Sequence, residues 1–407
     1  MASHARRRNA RRRFVPIRCD WARLALCDTA IAAYRAQIMQ TVDFLVIGAG
    51  IAGLSAAARL AQHGRVVVCE AEGSPGVHSS GRSAAFAHFD MDAPLVRALT
   101  AASLPLLEEP GARRHPALFI ALEGQESDLD RVEAGYREWQ PDLRRLSSDE
   151  ARSLVPVLRE GKNGIIGALL DEAGRKLDAH ALLEGHRHAL LAAGGEIATQ
   201  SPVTSLRHDG AAWIVDTSVN SYSAKVVVNA AGAWADAIAR LAGIAPLGLV
   251  PLRRTVITFD VPDGMDVSAW PFTKTVGPSF YIEPEGRGRL LACPMDEHPS
   301  DPCDAQPEEE DIALAAWRVE QATTLAIPRL ASKWAGLRTF TPDRLPVCGF
   351  DPQAPGFFWL AGQGGFGLQT SPAMALAAEA LATGAKWPEE LQTVGVTPEQ
   401  LSPGRFA

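Results

Sequence analysis

The segment DFLVIGAGIAGLSAA, beginning at Asp43, constrains the fold more than any other part of the chain. An apolar run ends in Gly48, Gly50 and Gly53 and then gives way to small residues. That order reads as a buried strand, a tight turn and a helix. Gly48 permits the turn, Gly50 lets backbone approach a ligand closely, and Gly53 lets the helix lie on the strand. The helix continues as LSAAARLAQHG, with Gly64 placed to end it, and the strand RVVVCE follows as far as Glu70. This is a βαβ unit, so the body starts with a parallel pair of strands. Free N–H groups and the positive dipole end at the helix start attract phosphate. Glu70 follows Gly50 by 20 positions, where a carboxylate meets ribose hydroxyls. Gly48, Gly50, Ile51, Ala52, Gly53 and Glu70 are therefore expected to hold a dinucleotide, and the acid disfavours a 2′-phosphate.

Two distant stretches bear on which dinucleotide fits. VVVNAAGAW is a strand ending in Ala231 and Gly232, small enough for a cofactor to approach, with Trp234 just beyond. AGQGGFG carries Gly364, Gly365, Phe366 and Gly367, and with Leu368 it opens a helix after a buried strand. A helix start aimed at a flavin stabilises negative charge on its reduced ring. A plain nicotinamide domain needs neither feature, so both favour FAD.

The rest of the chain has room for more than this unit. Its 407 residues are 47% hydrophobic and 21% charged, enough for two or three globular domains. The net charge of -7 is uneven: residues 1–40 hold nine Arg and two Asp, or +7, leaving -14 for the body. An acidic body argues against nucleic acid as a partner. Six cysteines without a CxxC pair fit a reducing compartment and offer no zinc spacing, so no metal site is expected. No apolar run approaches the roughly 18 residues of a membrane span.

Residues 73–92 are rich in Gly and Ser and read as loop followed by helix. DAHALLEGHRHALLAAGGEI has helical spacing, with Asp178 as N-cap and Gly194–Gly195 as the stop. A strand-rich block runs from Leu249 to Met295, and an acidic helix covers about Pro307–Ile327. The parallel-sheet signals fall in three separated pieces, with antiparallel signals between them. The expected class is α/β, α+β overall, with one dinucleotide domain interrupted twice by a second domain.

At this point the sequence resembles a known family. VIGAGIAG, GRSAA, VRALTAAS, VNAAGAW, SFY, WAGLR, GFFW and QGG with the following QTS are similar to the D-amino acid oxidase superfamily of FAD-dependent amine oxidoreductases. Within it, the likeness is to bacterial FAD-dependent D-arginine dehydrogenases. It runs from about Val42 nearly to the C-terminus. The resemblance implies a discontinuous Rossmann-like FAD-binding domain, of glutathione-reductase type, under an antiparallel-sheet substrate domain. On this chain the FAD-binding pieces are 41–115, 172–247 and 333–395. The substrate pieces are 116–171 and 248–332, with a tail at 396–407. It also adds Ser80, Gly81, Arg82, Ser83, Ala84 and Arg338 to the cofactor contacts. The implied reaction is hydride transfer from an amino acid α-carbon to FAD, the imine then hydrolysing to a 2-oxo acid and ammonia. The cysteine that carries covalent flavin in some relatives aligns near Arg338, so noncovalent FAD is expected. Cys348 is the one cysteine read as lying near a flavin contact.

An amino acid needs a charge-assisted, bidentate donor for its carboxylate. Arg253 and Arg254 start an apolar strand, and alternation lets only one face a pocket. The resemblance selects Arg254 and adds Tyr281 and Arg338. His88 is a candidate base or lid residue. Phe86 and Met91 occupy the places of a His and a Tyr in D-arginine dehydrogenases, and ALFIAL lacks that group's Glu. A guanidinium without that carboxylate stays unpaired at high cost, so D-arginine is disfavoured and an apolar side chain favoured. Lys274 reads as a solvated lysine; pointing inward, it would favour an acidic substrate.

The leading expectation is thus an FAD-dependent D-amino acid dehydrogenase. The alternatives are a 2-hydroxy acid or N-methylated amino acid as substrate, or the flavin subunit of a hetero-oligomeric dehydrogenase. The resemblance favours a quinone or other respiratory carrier over oxygen as electron acceptor. It also favours a cytoplasmic location, with the inner membrane face as a peripheral alternative. Residues 1–38 form a basic block for which three readings compete. They are a transit peptide, a surface helix at Trp21–Ile38, or an overrun before a true start at Met39, and the last is preferred.

Overall fold

The computed structural model describes residues 39–161 and 164–406. The readings of the basic block therefore lie outside the described residues. Residues 41–407 make one unit built around two large sheets.

The first sheet has 8 strands and contains the βαβ unit. Gln40–Ile47 and Val66–Cys69 pair in parallel, with Phe44 opposite Val66 and Ile47 opposite Cys69. Glu196–Ala198 adds a third parallel strand beside Val66–Cys69. Ser221–Asn229 is shared, pairing antiparallel with Trp213–Thr217 and parallel with Phe357–Ala361. Strands buried on both faces read as unbroken apolar runs, which is why VVVC and FFWLA are fully buried. Ile51–Leu60 and Gly367–Thr383 pack on this sheet in one core with Val46, Val68, Val228 and Leu360. Both helices are alanine-rich, and that allows close approach. The Ala179–Ala192 helix starts where expected, with Ala181 N–H donating to the Asp178 carboxylate at 2.9 Å.

The second sheet has 9 strands, almost all antiparallel. Its long strand, Val250–Asp260, pairs with Ser332–Phe340 on one edge, placing Leu252 opposite Arg338 and Arg254 opposite Gly336. On the other edge it pairs with Arg289–Cys293, which continues to Tyr281–Pro284 and Phe272–Thr275. Phe272–Thr275 then pairs in parallel with Ala117–Leu122. Ser332–Phe340, counted with the cofactor-binding pieces from sequence, thus pairs in the second sheet. The register sets one face: Phe119, Lys274, Tyr281 and Cys293 stand in a row across four strands.

Residues 73–92 hold turns and the two-residue strand Phe86–Ala87, with no helix. Glycine and serine supply turns here rather than a helix start, and the helix begins only at Pro94. Among the described residues no helix is long and apolar enough to cross a membrane.

Candidate functional site

A cavity of about 560 Å³ lies along the glycine loop and ends against the second sheet. At its first end the loop is held open by its own sequence. Gly48 has φ +100°, and a Cβ there would meet the Ala230 carbonyl at 2.6 Å. Glu70 is 9% exposed, and its carboxylate accepts Ala49 N–H at 2.7 Å and Glu72 N–H at 2.9 Å. Ser80 Oγ accepts Ile51 N–H at 3.0 Å, at the start of the helix. Two anchors from distant segments thus fix the turn before any ligand binds. The carboxylate keeps free lone pairs for hydroxyl donors.

The middle of the cavity is backbone. Gly364 has φ +57°, and its N–H donates to Thr339 O at 2.9 Å, tying the two sheets together. The Gly367–Thr383 helix starts there, with Gly364, Gly365, Gly367 and Leu368 on the wall. Its dipole presents positive charge to the cavity. Gln363 lines it too, and the buried Gln363 Nε2 has no hydrogen-bond partner among the described residues. A polar atom left so is costly unless a ligand satisfies it.

At the far end stand Arg254, Tyr281 and Arg338. Alternation on the long strand separates the two arginines of its RR pair, as expected. Arg253 turns away to Glu308 and to Asp311 at 3.1 Å. Arg254 turns inward, 5% exposed, and reaches Glu297 at 3.0 Å, while its Nε has no hydrogen-bond partner. Tyr281 is 5% exposed. Burial and the neighbouring Cys293 push its phenol pKa well above the ordinary value, so it stays a donor. Among the described residues, the Arg338 guanidinium makes no hydrogen bond or ion pair. Gly365 leaves room for it: a Cβ there would sit 2.5 Å from Arg338 Cζ. Burial and the Arg254 charge push the Arg338 pKa down. Burial opposes the Arg254 charge as well, but Cys293, Tyr281, Asp296 and Glu297 raise its pKa overall. Two cations and a phenol thus converge, with one cation lacking an ion pair among the described residues, an arrangement chemically suited to an anion.

Most of the sequence-derived site residues meet on this cavity. Gly48, Gly50, Ile51, Ala52, Glu70, Ser80, Arg82, Ser83, Ala84, Ala231, Gly232 and Trp234 line its first part. Gly53, Gly81, Phe366 and His88 are not on its wall. Gly53 and Gly81 act through packing, since Cβ atoms there would meet the Gly48 and Gly76 carbonyls at 1.9 and 2.5 Å. Arg82 lines the wall, but its guanidinium is spent on Ala305 O at 2.9 Å, Ala335 O at 3.1 Å and Asp304. Ser201, Pro202 and Val203 line it without any sequence signal, because strand pairing across the Ala179–Ala192 helix brings them beside Glu70. Ser201 N–H donates to Glu70 O at 2.8 Å. Cys69 lines the cavity, and Cys348, on the strand Val347–Phe350, is buried in the core between the first sheet and its helices, reversing the cysteine expectation. Burial pushes the Cys69 thiol up to about 12, which leaves it unreactive.

Lys274 is not solvated. It is buried and ion-paired with Asp90, because Phe272 and Lys274 share the face that Tyr281 occupies. His88 lies between charges, stacked on Phe272 at 5.9 Å, with Asp90 N–H donating to its Nδ1 at 3.1 Å. Burial, then Lys274 and Arg338, push its pKa from 6.5 down to about 3. The native ring is therefore neutral while the unfolded ring gains a proton below 6.5. Stability from this group is present above 6.5 and is lost as pH falls towards 3. His88→Phe keeps the stack and should flatten the acid limb by a slope of about one proton. Urea midpoints measured across that range check it.

Comparison with known proteins extends this picture. Residues 43–381 match the family model described as DAO, FAD dependent oxidoreductase. The uncharacterized oxidoreductase YurR of Bacillus subtilis is 27% identical over 81% of this chain and 92% of its own length. Glycine oxidase of Geobacillus kaustophilus is 24% identical over 81% and 90%, and human peroxisomal sarcosine oxidase 28% over 81% and 89%. The crystal structure of L-proline dehydrogenase from P. horikoshii superposes with a TM-score of 0.78 at 20% identity, covering 91% of this chain and 98% of that one. FAD-bound L-α-glycerophosphate oxidase from Mycoplasma pneumoniae gives 0.76 at 20%, covering 86% and 96%. None of the relatives cited is a D-arginine dehydrogenase, so the comparisons support the superfamily and leave that narrower likeness unsupported. The chain belongs to the DAO family of FAD-dependent oxidoreductases, and its cofactor is FAD.

Proposed function

We propose that the protein oxidises the CH–NH2 group of a small D-amino acid with an apolar side chain, giving an imine that hydrolyses to a 2-oxo acid and ammonia. The observation that carries this reading is Arg338, half-buried on the cavity wall with Arg254 and Tyr281 and without an ion pair among the described residues. When bound, FAD supplies the acceptor for the hydride leaving the α-carbon. The glycine loop, Glu70 and the Gly367–Thr383 helix would hold it. Arg338 and Arg254 bind the substrate carboxylate, and Tyr281 donates to it as a neutral phenol. The same two cations lower the pKa of a nearby substrate ammonium, favouring the reactive neutral amine. His88 acts by shape here, because its Nδ1 is already taken and its ring stays neutral. Phe86 stacks on Phe272 at 4.3 Å, and Phe272 lies 5.3 Å from the Tyr281 ring, so apolar side chains stand beside the clamp, consistent with an apolar substrate side chain.

The likeness to sarcosine oxidase favours a second reading, an N-methylated amino acid on the same carboxylate clamp. A cytoplasmic location and a quinone-type acceptor belong to the proposal as well. Anaerobic mixing of the yellow protein with D- and L-amino acids, N-methylglycine and 2-hydroxy acids tests it. Loss of oxidised-flavin absorbance with apolar D-amino acids is the expected result. Bleaching by N-methyl amines alone moves the reading to the second form. No bleaching by any carboxylate-bearing amine refutes both.

A further inference from the structure

We infer that the buried Asp90–Lys274 pair sets the side-chain charge this site accepts. It makes the site reject dicarboxylic amino acids because Asp90 masks Lys274. The inference rests on the carboxylate clamp proposed above and says what lies beside it. Lys274 stands directly across from Tyr281 on the neighbouring strand. Neither Lys274 nor Asp90 is on the cavity wall, but directly opposed residues have Cβ atoms about 5 Å apart, so a ligand held by Tyr281 has Lys274 within a side chain's reach. The Lys274 and Asp90 side chains are only 10% and 8% exposed, and Lys274 Nζ has one further partner, Thr275 O at 3.3 Å. Asp90 comes from the same loop as Phe86, His88 and Met91. That loop is pinned from below, where Gln369 Nε2 donates to His88 O at 3.2 Å and Thr100 Oγ1 at 2.7 Å.

The charges around the clamp support the same conclusion. Arg254 has Glu297 at 3.0 Å, which also holds Arg344 at 3.0 Å. Asp296 accepts Thr255 N–H at 2.9 Å and lies 3.9 Å from Arg254. Lys274 has Asp90. Arg338 alone in this cluster is unmatched, so the site neutralises one carboxylate. A second carboxylate would have to displace Asp90 from Lys274 and leave Asp90 buried and unpaired, which is strongly unfavourable. The apolar stack of Phe86 and Phe272 flanks the pair and favours a neutral chain.

Non-reacting carboxylates read this directly through the bound flavin's absorbance. The FAD-loaded wild type should bind butyrate at least 10-fold tighter than glutarate. Asp90→Asn frees Lys274 and should move that ratio at least 10-fold towards glutarate. Lys274→Met frees Asp90 instead and should move the ratio of 5-aminovalerate to butyrate in favour of the amine. The neutral pair, Asp90→Asn with Lys274→Met, should restore the preference for butyrate and stands in if a single variant does not fold. Unchanged ratios in the variants, with butyrate still bound, overturn the inference and leave the clamp standing. Failure of the wild type to bind butyrate removes the clamp, and the inference with it.

Discussion

Replacing Arg338 by alanine is expected to lower kcat/KM for the amino acid by about 10³-fold, on the order of 4 kcal/mol, while FAD remains bound. Among the described residues Arg338 is the cation of the Arg254–Tyr281 cluster without an ion pair, and the proposed function gives it the ligand carboxylate as partner. Arg254 is already tied to Glu297 at 3.0 Å and has part of its charge answered. Arg254→Ala should therefore cost less in kcat/KM and more in stability, since it leaves Glu297 with Arg344 alone. Arg338→Lys restores a charge but not the planar fork, so it should recover only part of the loss. The loss should appear mainly in KM if the carboxylate contact is the same in ground and transition states, and in kcat if it aligns the α-carbon. A fall below 10-fold for Arg338→Ala would falsify the assignment of this residue to the substrate. Steady-state kinetics with the substrate found by flavin bleaching, and the flavin-to-protein absorbance ratio, give both readouts.

How much of this was legible beforehand depends on how local each signal is. The βαβ unit is local: turn, helix and second strand lie within 30 residues, with Gly48 required by its φ of +100° and Gly53 by its contact with the Gly48 carbonyl. Strand alternation says that only one of Arg253 and Arg254 can face a pocket, the family resemblance selects Arg254, and Arg253 behaves as the outward partner. The same alternation was available for Lys274, two residues beyond Phe272, but a lysine in a short strand reads as solvent-facing until its counter-ion is known. That counter-ion, Asp90, is 184 positions away and sits in a loop with no periodicity to read. Ser201–Val203 were hidden for a related reason. They reach Glu70 only because Glu196–Ala198 pairs with Val66–Cys69. Cys69 ends the strand that precedes Glu70 and lines the cavity, whereas Cys348 is held in the core between the first sheet and its helices. Conformation and chemistry carried by one segment were visible; partnerships made by sheet register were not.

Gly53→Ala is expected to yield a protein that has lost most of its FAD and unfolds at lower temperature. A Cβ at Gly53 would lie 1.9 Å from the Gly48 carbonyl oxygen and 3.3 Å from Val46 Cγ1. The closest atom is backbone, so no side-chain rotation relieves the overlap, and the helix must lift from the strand. Overpacking ordinarily costs about 1–3 kcal/mol, and this overlap lies at the upper end or beyond. Lifting the helix also moves Ile51, whose N–H bonds to Ser80 at 3.0 Å, and the loop that Glu70 holds through Ala49 at 2.7 Å. Phosphate binding needs the remaining free N–H groups of this turn and helix start fixed in direction, so affinity falls together with stability. Gly185→Ala is the matched control in a helix away from the cavity. A Cβ there meets nothing within 4 Å, and the residue lies inside the Ala179–Ala192 helix, where alanine is preferred to glycine. It should keep FAD and a melting temperature no lower than wild type. Equal flavin content in the two variants would mean that helix-to-strand contact at Gly53 does not set the cofactor site. A colourless Gly53→Ala beside a yellow Gly185→Ala would place the cofactor's hold on this chain in the packing of one carbonyl against one hydrogen.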